Sequence, residues 1–132
     1  MKYLFLALLL IATPAHALKF VQSQIITAGD MSAATINSAG QDIQNVPLGA
    51  IHAVWTGAPV GTIIVQASAD LTSTAASVVN WTTVSGSTVA VSGAGDVMIN
   101  FSNVGYKWMR LQYTKTSGTG TLNAILDTKG DY

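Results

Sequence analysis

DVMINFSNVGYKWMRLQYTKTSGTGTLNAIL, residues 96–126, holds three strand-length runs, VMINF, YKWMRLQYT and TLNAIL, separated by SNVG and KTSGTG. Each run is rich in β-branched, aromatic and other apolar residues that suit a pleated, half-buried surface. Read in order, the three runs predict an antiparallel meander. Within the middle run, alternation puts Trp108, Arg110 and Gln112 on one face and Lys107, Met109, Leu111 and Tyr113 on the other. Neither face is wholly polar, so both have something apolar to cover.

Working outward, the rest of the chain has the same texture. Lys19–Ala28 alternates loosely as a first strand; Met31–Gln44 suits either a short helix capped at Asp30 or a weak edge strand, and the strand is expected at Ala34–Asn37. Ala50–Thr56 (AIHAVWT) places Ile51, Ala53 and Trp55 on one face. Thr62–Ser68 (TIIVQAS) is expected to return as its hairpin partner across the turn Gly57–Gly61. Ala69–Asn80 is the longest connection, with Asp70 expected to bond the amides just ahead of it as an Asx-turn. Asn80–Val84 carries Trp81, and after Ser85-Gly86-Ser87 the run Thr88–Val91 is expected to turn back on it. Asp127–Tyr132 is expected to be an exposed tail. The total is about eight or nine short strands with turn signals at the spacing of an all-β sandwich or barrel.

The first 17 residues read as a signal peptide: Lys2, an apolar run from Tyr3 to Ala12, and a small-x-small ending at Ala15-His16-Ala17. The apolar run is shorter than the roughly 20 residues that span a bilayer as a helix. Residues 18–132 then form one domain, of a size that supports a core of its own. Without Lys2, five basic residues face six aspartates, and glutamate and cysteine are absent. Such a chain has no basic footprint for nucleic acid and no thiolate for a disulfide or a metal. Charged residues make up 9% of the sequence, against roughly 25% in an average globular chain. A surface so poor in charge is expected to touch something else, most simply further copies of the same chain.

No residue pattern points to catalysis. His52 is the one histidine after the signal peptide, placed mid-strand between Ile51 and Ala53 with no acidic neighbour in sequence. The six aspartates sit in or beside expected turns, where local amides explain them. No D-x-D-x-D-G spacing suggests calcium, and no cofactor or metal is expected. Trp55 is expected in the core. Trp81, with Asp70 and Asn80 on the long connection, forms a candidate ligand-binding set, since an aromatic ring on a loop suits a sugar face. Trp108, Arg110 and Gln112 form a candidate interface set, given the enrichment of Trp and Arg in interfaces.

Three segments carry a resemblance: WTGAPVGTIIVQASAD (55–70), NWTTVSGSTVAVSGAG (80–95) and MINFSNVGYKWMRLQYTKTSGTGTLNA (98–124). Together, over Ala50–Leu126, they resemble a module of phage structural proteins and of small secreted proteins of Gram-negative bacteria. The strand Tyr106–Thr114 is also similar to the aromatic-hydrophobic-Arg-hydrophobic strand of discoidin-like jelly rolls. The resemblance implies a β-sandwich of jelly-roll type and a structural or attachment role, without catalysis. The chain departs from the phage pattern in its signal peptide, and from the short Asp-to-Trp turn in its longer insert between Asp70 and Trp81.

The expectation is thus an exported, non-catalytic, self-associating module of the cell envelope, in the periplasm, at the outer membrane or on the surface of a Gram-negative bacterium. Two alternatives stand beside it: a lectin-like domain that binds a glycan or another surface, and an oligomeric outer-membrane β-barrel-like protein in contact with lipid. The barrel reading rests on alternating strands such as YKWMRLQYT and GTIIVQAS.

Overall fold

The structure, a computed structural model, describes residues 19–102 and 104–130. The expected signal peptide lies outside the described residues. The strands are β1 (Lys19–Asp30), β2 (Thr35–Asn37), β3 (Gln41–Asp42), β4 (Leu48–Gly57), β5 (Val60–Ser68), β6 (Thr82–Thr83), β7 (Val89–Ser92), β8 (Gly95–Ser102), β9 (Trp108–Ser117) and β10 (Gly120–Gly130). One 3-10 turn, Ala75–Ser77, interrupts the long connection. All pairings are antiparallel. Sheet A has the order β1-β10-β4-β8, and sheet B the order β2-β9-β5-β6, with β3 also against β9 and β7 also against β5.

Taken together, β2 and β3 form one interrupted edge strand and β6 and β7 another, so each sheet has four strand positions. The chain visits them in jelly-roll order, which confirms the expected all-β sandwich. It does so without the expected meander. Strands β8, β9 and β10 lie in sheets A, B and A, and none of them pairs with the next. The expected hairpin of β4 and β5 is likewise a crossing from sheet A to sheet B. Alternation along a strand tells which side chains meet the core, but both arrangements bury the same set. What separates them is the turn. At Gly118, with φ +75°, a Cβ would collide with the Ala58 carbonyl oxygen. Three crossing turns are packed there, and Ala58 N–H donates to Thr119 O at 2.9 Å while Gly93 N–H donates to Pro59 O at 3.0 Å.

Two further expectations are corrected. β6 and β7 do not fold back on each other; both run antiparallel to β5, as pieces of one edge. The segment Asp127–Gly130 is no exposed tail, because β10 runs through it between β1 and β4 and Thr128 is buried. The ladder also takes in Asp96 and Asp127, which lie within strands and not in turns.

The core between the sheets is filled by Ile51, Ala53 and Trp55 of β4, Ile63 and Val65 of β5, Met109, Leu111 and Tyr113 of β9, and Leu122, Ala124 and Leu126 of β10. Trp55 is a core residue as expected, and its indole N–H donates to Gly93 O at 2.7 Å. A register shift between Gln24 and Ile26 in β1 lets both Ile25 and Ile26 turn inward.

Both edges of sheet B break at the same rung. Val65 of β5 is opposite Leu111 of β9. Beyond Leu111, where β2 has ended, buried Ser38 donates its N–H to Leu111 O at 2.9 Å and accepts Leu111 N–H on Oγ at 3.0 Å. Beyond Val65, where β6 has ended, Ser87 Oγ accepts Val65 N–H at 3.1 Å and lies 2.7 Å from Val84 O. Two serine hydroxyls thus stand in for missing strand amides and carbonyls. Ser87 is 2% exposed, so no water can replace it. Ser87→Ala is expected to cost about 1–3 kcal/mol by stranding the Val65 amide; Ser85→Ala, on the exposed side of the same turn, is expected to change stability by less than about 0.5 kcal/mol. Urea unfolding of the two variants checks the contrast.

Candidate functional site

The two ends of the sandwich differ. One is closed by the short crossings after β4, β7 and β9. The other gathers the connections 43–47, 69–81 and the one between β8 and β9, and Lys107 ties them together. Its N–H donates to Ser68 O at 3.0 Å, its carbonyl accepts Ile43 N–H at 2.8 Å, and its ammonium lies 3.3 Å from Gln44 Oε1 and 3.5 Å from an Asp42 carboxylate oxygen.

Asp70 organises the longest of these connections. Its carboxylate accepts the Asn80 side-chain amide at 2.9 Å, the Asn80 N–H at 3.0 Å and the Val79 N–H at 3.1 Å. It therefore clamps the two ends of the loop, nine and ten residues apart, where the expected Asx-turn would have bonded the amides just ahead. The Asn80 side chain and then its backbone amide hold the Asp70 carboxyl below its ordinary value of 3.8. Asp70 and Asn80 spend their polar groups on each other, and the clamp delivers Trp81 onto the outer face of sheet B. There the Arg110 guanidinium stacks on the indole, 4.3 Å from the ring centroid. Arg110 Nε donates to Gln66 Oε1 at 2.8 Å, and burial lowers the guanidinium's pKa. At Gly40, on the far edge of the sheet, any Cβ would press on the rim of the same indole and on Ala75.

The two expected sets, Trp81 with Asp70 and Asn80, and Trp108 with Arg110 and Gln112, are therefore joined through one contact between Trp81 and Arg110. Trp81 is half-buried, with one ring face covered by the guanidinium. Gln112 donates to Asn37 Oδ1 at 2.8 Å. Trp108 is 5% exposed yet lies outside the main core cluster, and its indole N–H has no hydrogen-bond partner among the described residues.

Sequence reasoning missed two features. The first is a hollow of about 370 Å³ beside the Asp70 clamp, lined by Thr82, Thr83, Ser85, Asn80 and Tyr106. Hydroxyl-bearing residues in NWTTVS are its only sequence signal. The second is the outer face of sheet A. Phe20, Leu48, Val54 and Met98 stand exposed there, and a shallow groove of about 470 Å³ runs between Phe20, Leu48, Asn100 and Lys129. His52 is on this face, half-exposed, with Nε2 3.7 Å from an Asp96 carboxylate oxygen. Among the described residues that pair is the nearest approach to acid–base chemistry, and no serine or threonine hydroxyl there is hydrogen-bonded to His52. Among the described residues no group of three or more His, Cys, Asp or Glu side chains could hold a metal, and no helix is long and apolar enough to cross a membrane.

No protein-family model matches the chain, and neither a curated protein nor a solved structure does.

The depressed Asp70 pKa makes the clamp pH-dependent. A carboxyl whose folded pKa lies below its unfolded one contributes stability that is complete above the unfolded value and is lost as pH falls through the folded value. Asp70→Asn is expected to unfold at lower urea than wild type, by a margin constant above pH about 5 and shrinking below pH about 4. Urea midpoints of the two proteins across that range check it.

Proposed function

We propose that this chain is an exported, non-catalytic jelly-roll module that associates with copies of itself and serves as a structural or attachment unit of the cell envelope. The observation that carries the reading is the contrast between the two outer faces. Sheet B is roofed by the 69–81 loop, which lays Trp81 on Arg110 and exposes Leu71 and Val79 at its own surface, whereas sheet A leaves Phe20 63%, Met98 50%, Leu48 45% and Val54 40% exposed on the strands themselves. Isolated apolar side chains on a surface are ordinary, but two exposed pairs on one sheet face, Phe20 with Leu48 and Val54 with Met98, in a chain with 9% charged residues favour contact. The signal-peptide pattern of residues 1–17 supports export. The resemblance of Ala50–Leu126 to phage and envelope modules supports the structural role.

The test is the mass of the chain without residues 1–17, measured by size-exclusion chromatography with light scattering. The expected result is a multiple of the single-chain mass; a monomer at tens of micromolar overturns the reading.

A second reading, glycan binding by a lectin-like module, is favoured by the hydroxyl-lined hollow next to Tyr106. Under it, a glycan array shows binding that Tyr106→Ala abolishes, since a ring beside hydroxyls and amides is how a protein grips a sugar. Absence of any bound glycan removes this reading and leaves the first.

A further inference from the structure

The four sheet edges are not equally protected. Both edges of sheet B are interrupted, at 38–40 between β2 and β3 and at 84–88 between β6 and β7. In sheet A, β1 is bent by two register shifts and starts at Lys19. Bulges, breaks and lysines are the devices that keep an edge from recruiting another strand. β8 has none of them. Its register against β4 is unbroken from Ser102 opposite Leu48 to Gly95 opposite Trp55. It contains no proline and no lysine, and Asp96 is its one charge.

The side chains of β8 add a second, independent sign. Its core-facing residues Val97, Ile99 and Phe101 are only partly buried, whereas Ile51 and Ala53 on the adjoining β4 are at most 1% exposed. On the outer face Met98 is 50% exposed. Among the described residues β8 pairs only with β4, so its other side presents a row of backbone groups flanked by partly uncovered apolar surface on both faces.

We infer that β8 is the self-association edge, pairing antiparallel with β8 of a second copy about a two-fold axis at Met98, so that two sheets A join into one eight-stranded sheet. This deepens the proposed self-association and rests on it. A second copy is the fitting occupant because the strand is complementary to itself in this register. Met98 meets its own mate on the axis. Val97 faces the partner's Ile99 on the core side, Asp96 faces the partner's Asn100, whose amide can donate to the carboxylate, and Gly95, backed by the Trp55 indole of its own chain, sets no side chain against the partner's Phe101. Opposed residues of a continuous sheet point to the same side, so both sandwich cores stay on one side of the joined sheet. The two Asp96 carboxylates are four positions apart along the ladder, about 14 Å, beyond the screening length of roughly 8 Å at physiological salt.

The chain has no cysteine, so a single introduced thiol reports on its own mate alone. In the chain without residues 1–17, Met98→Cys is expected to form a covalent dimer on mild oxidation, since opposed residues in an antiparallel pair bring their Cα atoms to about 4.5–5.5 Å, within disulfide reach. Ala33→Cys, on the exposed turn after β1, is expected to stay monomeric on a non-reducing gel. Met98→Asp, which sets two carboxylates against each other on the axis, is expected to halve the mass seen by light scattering while circular dichroism stays that of wild type. A wild-type monomer overturns both this interface and the proposed self-association. A wild-type oligomer whose mass Met98→Asp leaves unchanged, with no cross-link through Met98→Cys, overturns the β8 edge alone and moves the contact to another surface of the chain.

Discussion

The rung formed by Ser38, Leu111, Val65 and Ser87 is the constraint on which the rest of the molecule depends. β5 and β9 are the two central strands of sheet B, and their backbone groups at this level are fully buried. A buried peptide group without a partner costs about as much as a lost hydrogen bond. A continuous edge strand on either side would be the ordinary solution. Here two serines supply it from segments that have already left the strand, and that releases both edges. The chain can then break at Gly40, where the Trp81 indole has room, and at Ser85-Gly86, beside the hydroxyl-lined hollow. One short polar side chain at each edge therefore makes possible the loop that roofs sheet B.

From this follows the unlike character of the two outer faces. In sheet B, several groups on the outer face of the strands are used internally: Trp81 lies on Arg110, Arg110 on Gln66, and Gln112 on Asn37, while the roofing loop itself exposes Leu71 and Val79. The Trp81–Arg110 contact is of a kind worth about 0.5–2 kcal/mol, more when desolvated. In sheet A the outer-face polar contacts are Gln22 on Asp127 at 2.8 Å, Asn123 accepting the Ala28 N–H at 2.9 Å, and His52 near Asp96 at 3.7 Å. That face carries Phe20, Leu48, Val54 and Met98 beside Asp96, Asp127 and Lys129, so a partner that covers it buries apolar surface and must also meet those charges. The energetic asymmetry, more than any single residue, is what gives the molecule a side for association.

A good deal of this was legible in the residues. The alternation in YKWMRLQYT separated Met109, Leu111 and Tyr113, which fill the core, from Trp108, Arg110 and Gln112, which lie on the opposite face. Trp55 in AIHAVWT was readable as a core residue, and the insert between Asp70 and Trp81 as the segment that sets this chain apart. The roles within that insert were not legible. Asp70 could have capped its nearest amides; that it clamps Asn80 depends on how far the loop travels before it returns. Trp108 looked like an interface residue, and its burial depends on what crosses sheet B.

The sequence by itself determined that the chain would be strands and turns, which residues of each strand would face inward, and that the surface would be poor in charge. These are local properties: a period of two, turn-forming residues and composition. Only the tertiary structure decided which strands are neighbours. β8, β9 and β10 follow one another with short connections and would satisfy the same alternation as a meander or as three crossings between sheets. The choice fell to contacts far apart in the chain, with Gly118 against Ala58, Trp55 against Gly93 and Ser38 against Leu111, and no window of sequence contains both members of such a pair.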